Sequence, residues 1–599
     1  GRFPISSIKN ARLVVDKLYR YVHDKDFSSW KNNICIAADD GDEAIHAEQA
    51  DRGSDTLLLK NTSQPRLGFR VNKIYIDSYY MDPQTQKYPE ANRELMKQFN
   101  EGMLVFNYIG HNDPEVGFTG EGLFSRYEMD HLTNTRLPLF ITITCDYCQF
   151  DAEDVSAGEN VFLNPSAGAI ALITTTRVVY TDGNDKINRR LMKRLLERDS
   201  NGSPLRIGDV LKLAKRDFNT EIDKNKLNYV LIGDPALKLA YPEHSIQVTR
   251  INGNSGKKNI EMIPGKNYTV EGEIRSHQNE LLSDFNGYIY YNLYDKEKQF
   301  TTLAHQDKKT WTYTHRPDLL TTGKGTIQNG TFRITVTLPI DNSHSGKSGL
   351  LNLYAYDESG REANGYTDKL IVSTAVEPIT EDIQGPDIEF AGINDDSFTE
   401  GILVNNPATF VCKFSDPSGI WSGNSLGKQM TLSLDGACIE ENVARYYKPI
   451  AESEIPEGEF IYPLPRLSNG LHTLTFKVFD TLGNSSEVTI AFEVKENSET
   501  YTISLEEEPA TERATISCQD QNGNDVTESK HTRISVTNTL GEEIWSYETT
   551  ENNPFPLTWN LQDNNGKRVS AGQYYCKGYF ETSAGTIVTP AKKIVVITQ

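Results

Sequence analysis

The chain has 599 residues, and 83 acidic against 61 basic side chains give it a formal net charge of −22. A single hydrophobic core stops growing near about 250–300 residues, so this length predicts roughly three to five domains. A content of 37% hydrophobic residues excludes a disordered chain, and the negative charge without a basic stripe argues against a nucleic-acid partner. No apolar run reaches the roughly 18 residues that a membrane-spanning helix needs. The sequence opens at Gly1 without an initiator methionine or a signal segment, so we expect it to be an internal part of a longer protein.

Residues 1–241 alternate between helical and strand patterns, which is typical of a parallel sheet covered by helices. The apolar residues near the start recur with the period of an amphipathic helix. Three later runs are short, apolar and rich in β-branched residues, as buried parallel strands are. These runs cover residues 103–110, 137–144 and 169–176. We therefore predict an α/β domain over residues 1–241.

Beyond residue 241 the helical period stops, and alternating strands separated by Gly, Asn and Asp turns follow. This pattern predicts β-sandwich modules of the immunoglobulin-like kind. Their predicted bounds are 242–383, 384–498 and 499–599, and the segment VEPITEDIQGPDIEF is typical of a linker.

Four of the seven cysteines lie in the two later β modules. Cys412 and Cys438 share one module, and Cys518 and Cys576 share the other. Each pair fits a disulfide formed in an oxidising compartment, and it fits two buried thiols equally well. The sequence leaves both interpretations open.

A histidine and a cysteine each follow one of the predicted buried strands. His111 follows the run 103–110, and Cys145 follows the run 137–144. Because the functional crevice of an open α/β sheet lies beyond the carboxyl ends of its strands, neighbouring strands would bring both side chains into one site. An imidazole next to a thiol can take its proton and create a nucleophile.

A carboxylate after the first predicted strand would complete a triad by orienting the imidazole. The segment CIAADDGD offers several, of which Asp40 is our candidate, while Asp39 and Asp42 compete for the same role.

Other interpretations of these residues exist. A cysteine at a strand end is often a buried structural residue. Cys145 and Cys148 also form a C-x-x-C pair, which occurs in redox motifs and in zinc sites, although no second pair is present to complete a zinc tetrad. The segment AIHAEQADR predicts a helix on which His46 is a surface or packing residue.

Several motifs of residues 1–241 resemble the gingipain-type cysteine peptidases, whose catalytic domain has a caspase-like fold. The motifs are GRFPISSIKNARLVVDKLYRY, NICIAADDGD, MLVFNYIGH, LTNTRLPLFITITCDYCQFD, AIALITTT and IGDPALKLA, in family order. The resemblance implies a cysteine peptidase with Cys145 as nucleophile, His111 as base and Asp40 as the orienting carboxylate.

The resemblance also implies further site residues. The oxyanion hole would consist of the backbone N–H groups of Asn112 and Cys145, with Asn112 standing where the family usually has glycine. Glu43 is the candidate for a substrate-binding acid. We expect no catalytic metal or other cofactor, while structural calcium is conceivable among the acidic loops, although no EF-hand loop is present.

The β-rich remainder resembles one branch of this family, the sortases of the type IX secretion system. The resembling segments include LLSDFNGYIYYNLYDKEKQFTTL, GPDIEFAGINDDSF and a final domain of the flagellar-hook-cap immunoglobulin-like type, NNPFPLTWNLQDNNGKRVSAGQYYCKGYFET. The branch implies an enzyme at the outer membrane and cell surface that removes the C-terminal signal domain of exported cargo. It also implies transfer of the cargo to an amine of lipopolysaccharide, and an outer-membrane β-barrel partner of the PorV type that holds the enzyme.

Two other functions compete with this one. A secreted gingipain-like protease that degrades proteins would carry one short immunoglobulin-like domain, whereas three β modules are predicted here. A catalytically inactive adhesion scaffold would not need Cys145 and His111.

Overall fold

The computed structural model describes residues 1–60, 62, 66–113, 117–118, 123–217, 224–306, 308–340, 346–373, 382–394, 398, 403–404, 406–423, 425, 427–440, 442–450, 455–494, 501–506, 509–520, 526, 529–538, 543–550, 554–582 and 585–597. These residues form one α/β domain followed by β-sheet modules, which confirms the predicted fold class.

A six-stranded sheet forms the centre of the first domain. The strands of this domain are β1 (Asn33–Ala38), β2 (Arg70–Tyr75), β3 (Val105–Ile109), β4 (Asn112–Asp113), β5 (Gly117–Phe118), β6 (Phe124–Ser125), β7 (Leu139–Ile143), β8 (Ala171–Thr175) and β9 (Tyr229–Ile232). The sheet has the order β2-β1-β3-β7-β8-β9 and is parallel except for β9, while β4, β5 and β6 form a small separate sheet. Every residue of β3, β7 and β8 is buried, which is why the sequence has continuous apolar runs there.

Helices pack on both faces of the sheet. They are α1 (Ile8–Val22), α2 (Ile45–Leu58), α3 (Pro89–Glu101), α4 (Arg126–Asp130), α5 (Ala157–Leu163), α6 (Thr181–Leu195), α7 (Ile207–Arg216) and α8 (Lys224–Asn228). Short 3₁₀ turns span Ser29–Asn32, Asp42–Ala44, Ile76–Ser78 and Ala444–Tyr446. Alternate residues of β1 enter two separate cores, Ile34 and Ile36 with α2 and α6, and Cys35 and Ala37 with α3 and α5.

The predicted N-terminal helix is α1. The side chain of Ser7 caps it by accepting a hydrogen bond from the N–H of Asn10 at 3.1 Å. Among the described helices, none has both the length and the apolar character to cross a membrane.

The second module is a sheet that closes on itself. Its strands are β10 (His244–Ile251), β11 (Asn254–Ser255), β12 (Ile260–Met262), β13 (Asn267–Arg275), β14 (Gly287–Tyr294), β15 (Lys298–Thr301), β16 (Thr312–His315), β17 (Leu319–Gln328), β18 (Thr331–Thr337), β19 (Lys347–Ser348), β20 (Leu350–Asp357), β21 (Glu362–Thr367) and β22 (Leu370–Val372). The large sheet has the order β11-β10-β13-β18-β17-β14-β20-β21, and β10 also pairs in parallel with β21. The alternating pattern predicts the strands but not this parallel closure.

The third and fourth modules each consist of two sheets that enclose a hydrophobic core. The third module has β23 (Asp387–Ile393), β24 (Leu403–Val404), β25 (Thr409–Ser415), β26 (Thr431–Leu434), β27 (Ala437–Glu440), β28 (Tyr447–Ile450), β29 (Glu457–Pro463), β30 (Gly470–Phe479) and β31 (Ser485–Val494). The fourth has β32 (Thr502–Leu505), β33 (Ala514–Gln519), β34 (His531–Thr537), β35 (Glu543–Thr549), β36 (Leu557–Trp559), β37 (Gly572–Thr582), β38 (Gly585–Val588) and β39 (Lys592–Val596).

Buried polar contacts join the second module to the α/β domain. Lys31 Nζ lies 2.7 Å from Glu362 Oε1, and the Lys31 side chain is only 4% exposed. Lys73, at the edge strand β2, contacts Asp51 at 2.5 Å and donates to the carbonyl of Thr314 at 2.9 Å. A buried ammonium group needs such partners, so the two units support each other.

All seven cysteines are thiols in this structure. Cys412 is buried in β25, whereas Cys438 is exposed on β27 in the opposite sheet. Cys518 and Cys576 both belong to the core of the fourth module. Three of these four thiols are therefore buried, and Cys438 is exposed.

Three carboxylates meet in the loops of the third module. Asp382, Asp416 and Asp480 each offer an oxygen within 4.8 Å of the others, and Asp416 and Asp480 are buried. Burial, with a smaller contribution from the charges of Asp480 and Asp382, raises the pKa of Asp416 to about 7. The structural calcium ion that we considered from sequence stays a prediction.

Replacing Asp416 with asparagine should flatten the pH dependence of stability in this module. Between its ordinary value of 3.8 and about 7, the folded protein holds a proton that the unfolded chain has lost, so stability falls as the pH rises. We expect the unfolding temperature of the native chain to be higher near pH 5 than near pH 8 in scanning calorimetry, and the difference to shrink in Asp416→Asn. The matched control is Asp387→Asn on the exposed face of β23, and equal differences in all three proteins would contradict the expectation.

Candidate active site

The pairing of two adjacent strands sets the position of the candidate catalytic residues. β3 and β7 are neighbours in the sheet, and Ile109 lies opposite Ile143. His111 and Cys145 each follow two residues later, so they leave the sheet at the same level on strands about 4.8 Å apart. The structure therefore brings the two predicted residues to one edge of the sheet. The side-chain amide of Asn112 also donates to the carbonyl oxygen of Cys145 at 3.0 Å, which ties the two loops together.

Asp39 fixes the backbone of the histidine loop. Its Oδ2 accepts the N–H of His111 at 3.0 Å and lies 3.1 Å from the hydroxyl of Tyr108, which is also 2.9 Å from the His111 carbonyl oxygen. Gly110 leaves the space that this arrangement needs, because a Cβ there would lie 2.4 Å from the Cβ of Asp39. Asp39 thus supports the loop through main-chain contacts.

Asp42 is the carboxylate that contacts the imidazole. Its Oδ2 lies 2.6 Å from Nε2 of His111, and the side chains of the two residues are 51% and 60% exposed. We assign the ring proton to Nε2, which donates it to Asp42. Nδ1 is then the nitrogen that can take a proton.

An unusual turn brings Asp42 to this position. Gly41, Asp42, Glu43 and Ala44 all have positive φ, at 74°, 51°, 57° and 61°. A non-glycine residue in this region costs roughly 1 kcal/mol or more, and such strain clusters at functional sites. The turn reverses the chain between β1 and α2 so that Asp42 faces His111.

Asp40, our sequence candidate for the orienting carboxylate, does not take that position in the structure. It is buried, and its Oδ2 accepts the hydroxyl of Tyr88 at 2.6 Å. The left-handed turn is the physical reason, because it presents Asp42 to the ring instead. Of the three carboxylates that compete in the sequence, the geometry selects Asp42.

Cys145 lies at the surface end of this site. It is partly buried, and its Sγ lies 3.5 Å from the carbonyl oxygen of Val179 as a hydrogen-bond donor. In the described part of the chain the thiol makes this contact rather than one with His111.

Cys148, the other member of the C-x-x-C pair, has a different environment. It is fully buried, and burial raises the pKa of its thiol to about 12, with the charge of Glu159 adding to the shift. A buried thiol that holds its proton so firmly is a poor nucleophile near neutral pH.

The remaining predicted residues lie around the same edge. Asn112 opens strand β4 in an extended conformation, so its Cβ causes no strain where the family usually has glycine. Glu43 is exposed in the left-handed turn beside Asp42. Their roles in the oxyanion hole and in substrate binding stay predictions.

His46 is closer to the site than its sequence context indicates. It lies on the predicted helix, α2, and is buried as a packing residue would be, but its ring meets the His111 ring edge-on with centroids 5.0 Å apart. Its Nε2 is 3.7 Å from Oδ2 of Asp42. In the sequence, only the spacing of four residues between Asp42 and His46 indicates that these two side chains lie close together.

The edge of this α/β domain carries a partly exposed thiol and a carboxylate-bound imidazole, the two groups that hydrolases with a thiol nucleophile use. Residues 1–240 match the family model of peptidase family C25. This part of the chain therefore matches the family of cysteine peptidases that the motifs indicated.

Solved structures of similar proteins were also found. Dimeric latent PorU from Porphyromonas gingivalis is 18% identical with a TM-score of 0.31, and the match covers 95% of this chain and 64% of that one. A complex of the RgpB pro- and mature domains from the same organism is 16% identical over 62% of this chain and 76% of that one, with a TM-score of 0.32. The Arg-specific cysteine proteinase gingipain R (RgpB) is also 16% identical over 62% of this chain and 74% of that one, with a TM-score of 0.32. A search of curated proteins found no match. At these scores the family assignment depends on the family model alone.

The contact between Asp42 and His111 predicts a measurable difference between two aspartates. Asp42→Asn should lower kcat/KM for peptide cleavage at least about tenfold, because the imidazolium formed during catalysis loses its charged partner. Asp40→Asn should have a smaller effect, because an amide oxygen can still accept the Tyr88 hydroxyl. Steady-state kinetics of both variants would test this, and a larger loss in Asp40→Asn would return the orienting role to Asp40.

Proposed function

We propose that the chain is a cysteine endopeptidase in which Cys145 is the nucleophile, His111 the base and Asp42 the carboxylate that orients the base. The observation that carries this proposal is the position of His111 and Cys145, each two residues after a paired residue of β3 and β7. Asp42 contacts Nε2 of the His111 ring. A thiol, an imidazole and an orienting group in this order form the triad arrangement.

The reaction begins when Nδ1 of His111 takes the proton from Cys145 Sγ. The thiolate adds to the carbonyl carbon of the scissile peptide bond, and backbone N–H groups, predicted to be those of Asn112 and Cys145, stabilise the oxyanion. When the C–N bond breaks, His111 returns the proton to the leaving amine and a thioester remains on Cys145. Asp42 stabilises the imidazolium throughout.

We further infer that this thioester is the branch point of a sortase reaction. Water releases the cargo as a free acid, whereas an amine forms a new amide bond and leaves Cys145 as the thiol. The sequence resemblance of residues 242–599 to the modules of type IX secretion sortases supports this function. The substrate is then exported cargo with a C-terminal signal domain, and the acceptor is an amine of lipopolysaccharide.

The same proposal includes a location and a partner. The enzyme acts at the cell surface, associated with the outer membrane through a β-barrel partner of the PorV type. The β modules serve as docking surfaces for cargo or partner. The attachment of the first of these modules to the catalytic domain through Lys31 and Lys73 supports a fixed geometry between this module and the site of cleavage.

Exchange of each member of the C-x-x-C pair tests the nucleophile. Cys145→Ala should abolish cleavage of a cargo C-terminal domain, because no other partly exposed thiol lies at this edge of the sheet among the described residues. Cys148→Ala should retain most activity, because the Cys148 thiol is buried and protonated. Mass spectrometry of the cleavage products, with circular dichroism to verify folding, is the measurement. An active Cys145→Ala variant would refute the assignment.

The products distinguish a sortase from a simple protease. Aminolysis needs an acceptor held at attack distance, where orientation contributes several kcal/mol, whereas hydrolysis needs only water. We expect the isolated chain to release mainly free acid. Adding outer-membrane vesicles that contain the barrel partner and lipopolysaccharide should shift the mass of the product to the conjugate. If only free acid forms in both conditions, the peptidase proposal stands and the sortase proposal fails.

A further inference from the structure

We propose that Asp42, His46 and His111 form a binding site for one zinc ion, and that the bound ion blocks the peptidase. One carboxylate oxygen and two imidazole nitrogens offered by these residues lie within 4.8 Å of one another. The blocking effect rests on the proposed function, whereas binding of the ion does not.

The distances suit a tetrahedral ion. Zinc binds imidazole nitrogen at about 2.0–2.1 Å, which separates two ligand atoms by roughly 3.3 Å. Asp42 Oδ2 and His46 Nε2 are 3.7 Å apart, and Asp42 Oδ2 and His111 Nε2 are 2.6 Å apart. Small rotations of the exposed Asp42 and His111 side chains would bring both distances close to the roughly 3.3 Å that a tetrahedral zinc ion needs. Three protein ligands then hold the ion and leave a fourth position for water.

The donor set and the support of each ligand favour zinc over calcium or magnesium. Two imidazoles suit zinc and its transition-metal neighbours, whereas the harder cations prefer oxygen ligands. His46 is held in the first turn of α2 with its side chain only 7% exposed, so one ligand is already fixed. The backbone of His111 is fixed by Asp39, which limits the loop that carries the second imidazole. The ion can enter from solvent on the exposed side.

A zinc ion in this site prevents His111 from acting as the base of the proposed reaction. The ion replaces the proton on Nε2 and draws Asp42 away from its role as partner of the ring. A ring bound to a dication accepts a second positive charge on Nδ1 far less readily, so it no longer takes the proton of Cys145. Cys145 is not among the proposed ligands. This inhibition therefore differs from the kind in which a metal ion binds the catalytic thiolate.

Calorimetric titration of the full-length Cys145→Ala variant with zinc chloride tests the site without the thiol and without any need for activity. We expect one zinc ion to bind per chain. Adding His46→Gln to this variant should weaken binding at least tenfold, since one of three ligands is lost. Asp42→Asn in the same background, at an exposed position that leaves the fold intact, should weaken it as well. The control is His131→Gln, an exposed histidine at the end of α4 and not one of the three proposed ligands, which should leave binding unchanged.

An activity measurement completes the test in chains that keep Cys145. Zinc should inhibit the native chain, a chelator should restore activity, and the zinc concentration for half inhibition should rise at least tenfold in His46→Gln, relative to that variant's own activity. Failure of Cys145→Ala to bind zinc would overturn the site, and any inhibition would then belong to the thiol. Unchanged binding in both His46→Gln and Asp42→Asn would also overturn it. If the chain binds zinc as expected but cleaves no cargo, the metal site stands and the proposed function fails.

Discussion

The parallel pairing of β3 with β7 is the constraint on which the site depends. It places Ile109 opposite Ile143, and the two chain segments then leave the sheet together. Neither His111 nor Cys145 needs a specific contact with the other to be held near it, because the hydrogen bonds of the sheet and the Asn112 amide already do so. The thiol of Cys145 meanwhile donates to the carbonyl oxygen of Val179.

The three carboxylates after β1 support that arrangement through different contacts. Asp39 binds the main chain of His111, Asp40 binds Tyr88 inside the domain, and Asp42 meets the ring. Three acidic residues close together in sequence therefore have three distinct environments. The strained turn of residues 41–44 directs the side chain of Asp42 away from those of Asp39 and Asp40.

The sequence could predict the strands and the placement of His111 and Cys145 just beyond two of them, because continuous apolar runs followed by polar residues show where buried parallel strands end. It could not select Asp42 over Asp40, because consecutive non-glycine residues with positive φ have no propensity signal. The place of His46 depends on how α2 packs over the sheet, which is a tertiary property. The parallel pairing of β10 with β21 in the second module is equally non-local, since more than a hundred residues separate the strands.

The buried contacts of Lys31 and Lys73 bear on how such proteins evolve. Lys31 finds its carboxylate partner on β21, and Lys73 finds a carbonyl partner on Thr314, both beyond the end of the α/β domain. Recombination that joined residues 1–241 to an unrelated module would leave two buried ammonium groups without these partners. The α/β domain and the module after it are therefore expected to be inherited as one genetic unit, whereas modules farther along the chain can be exchanged without disturbing either lysine.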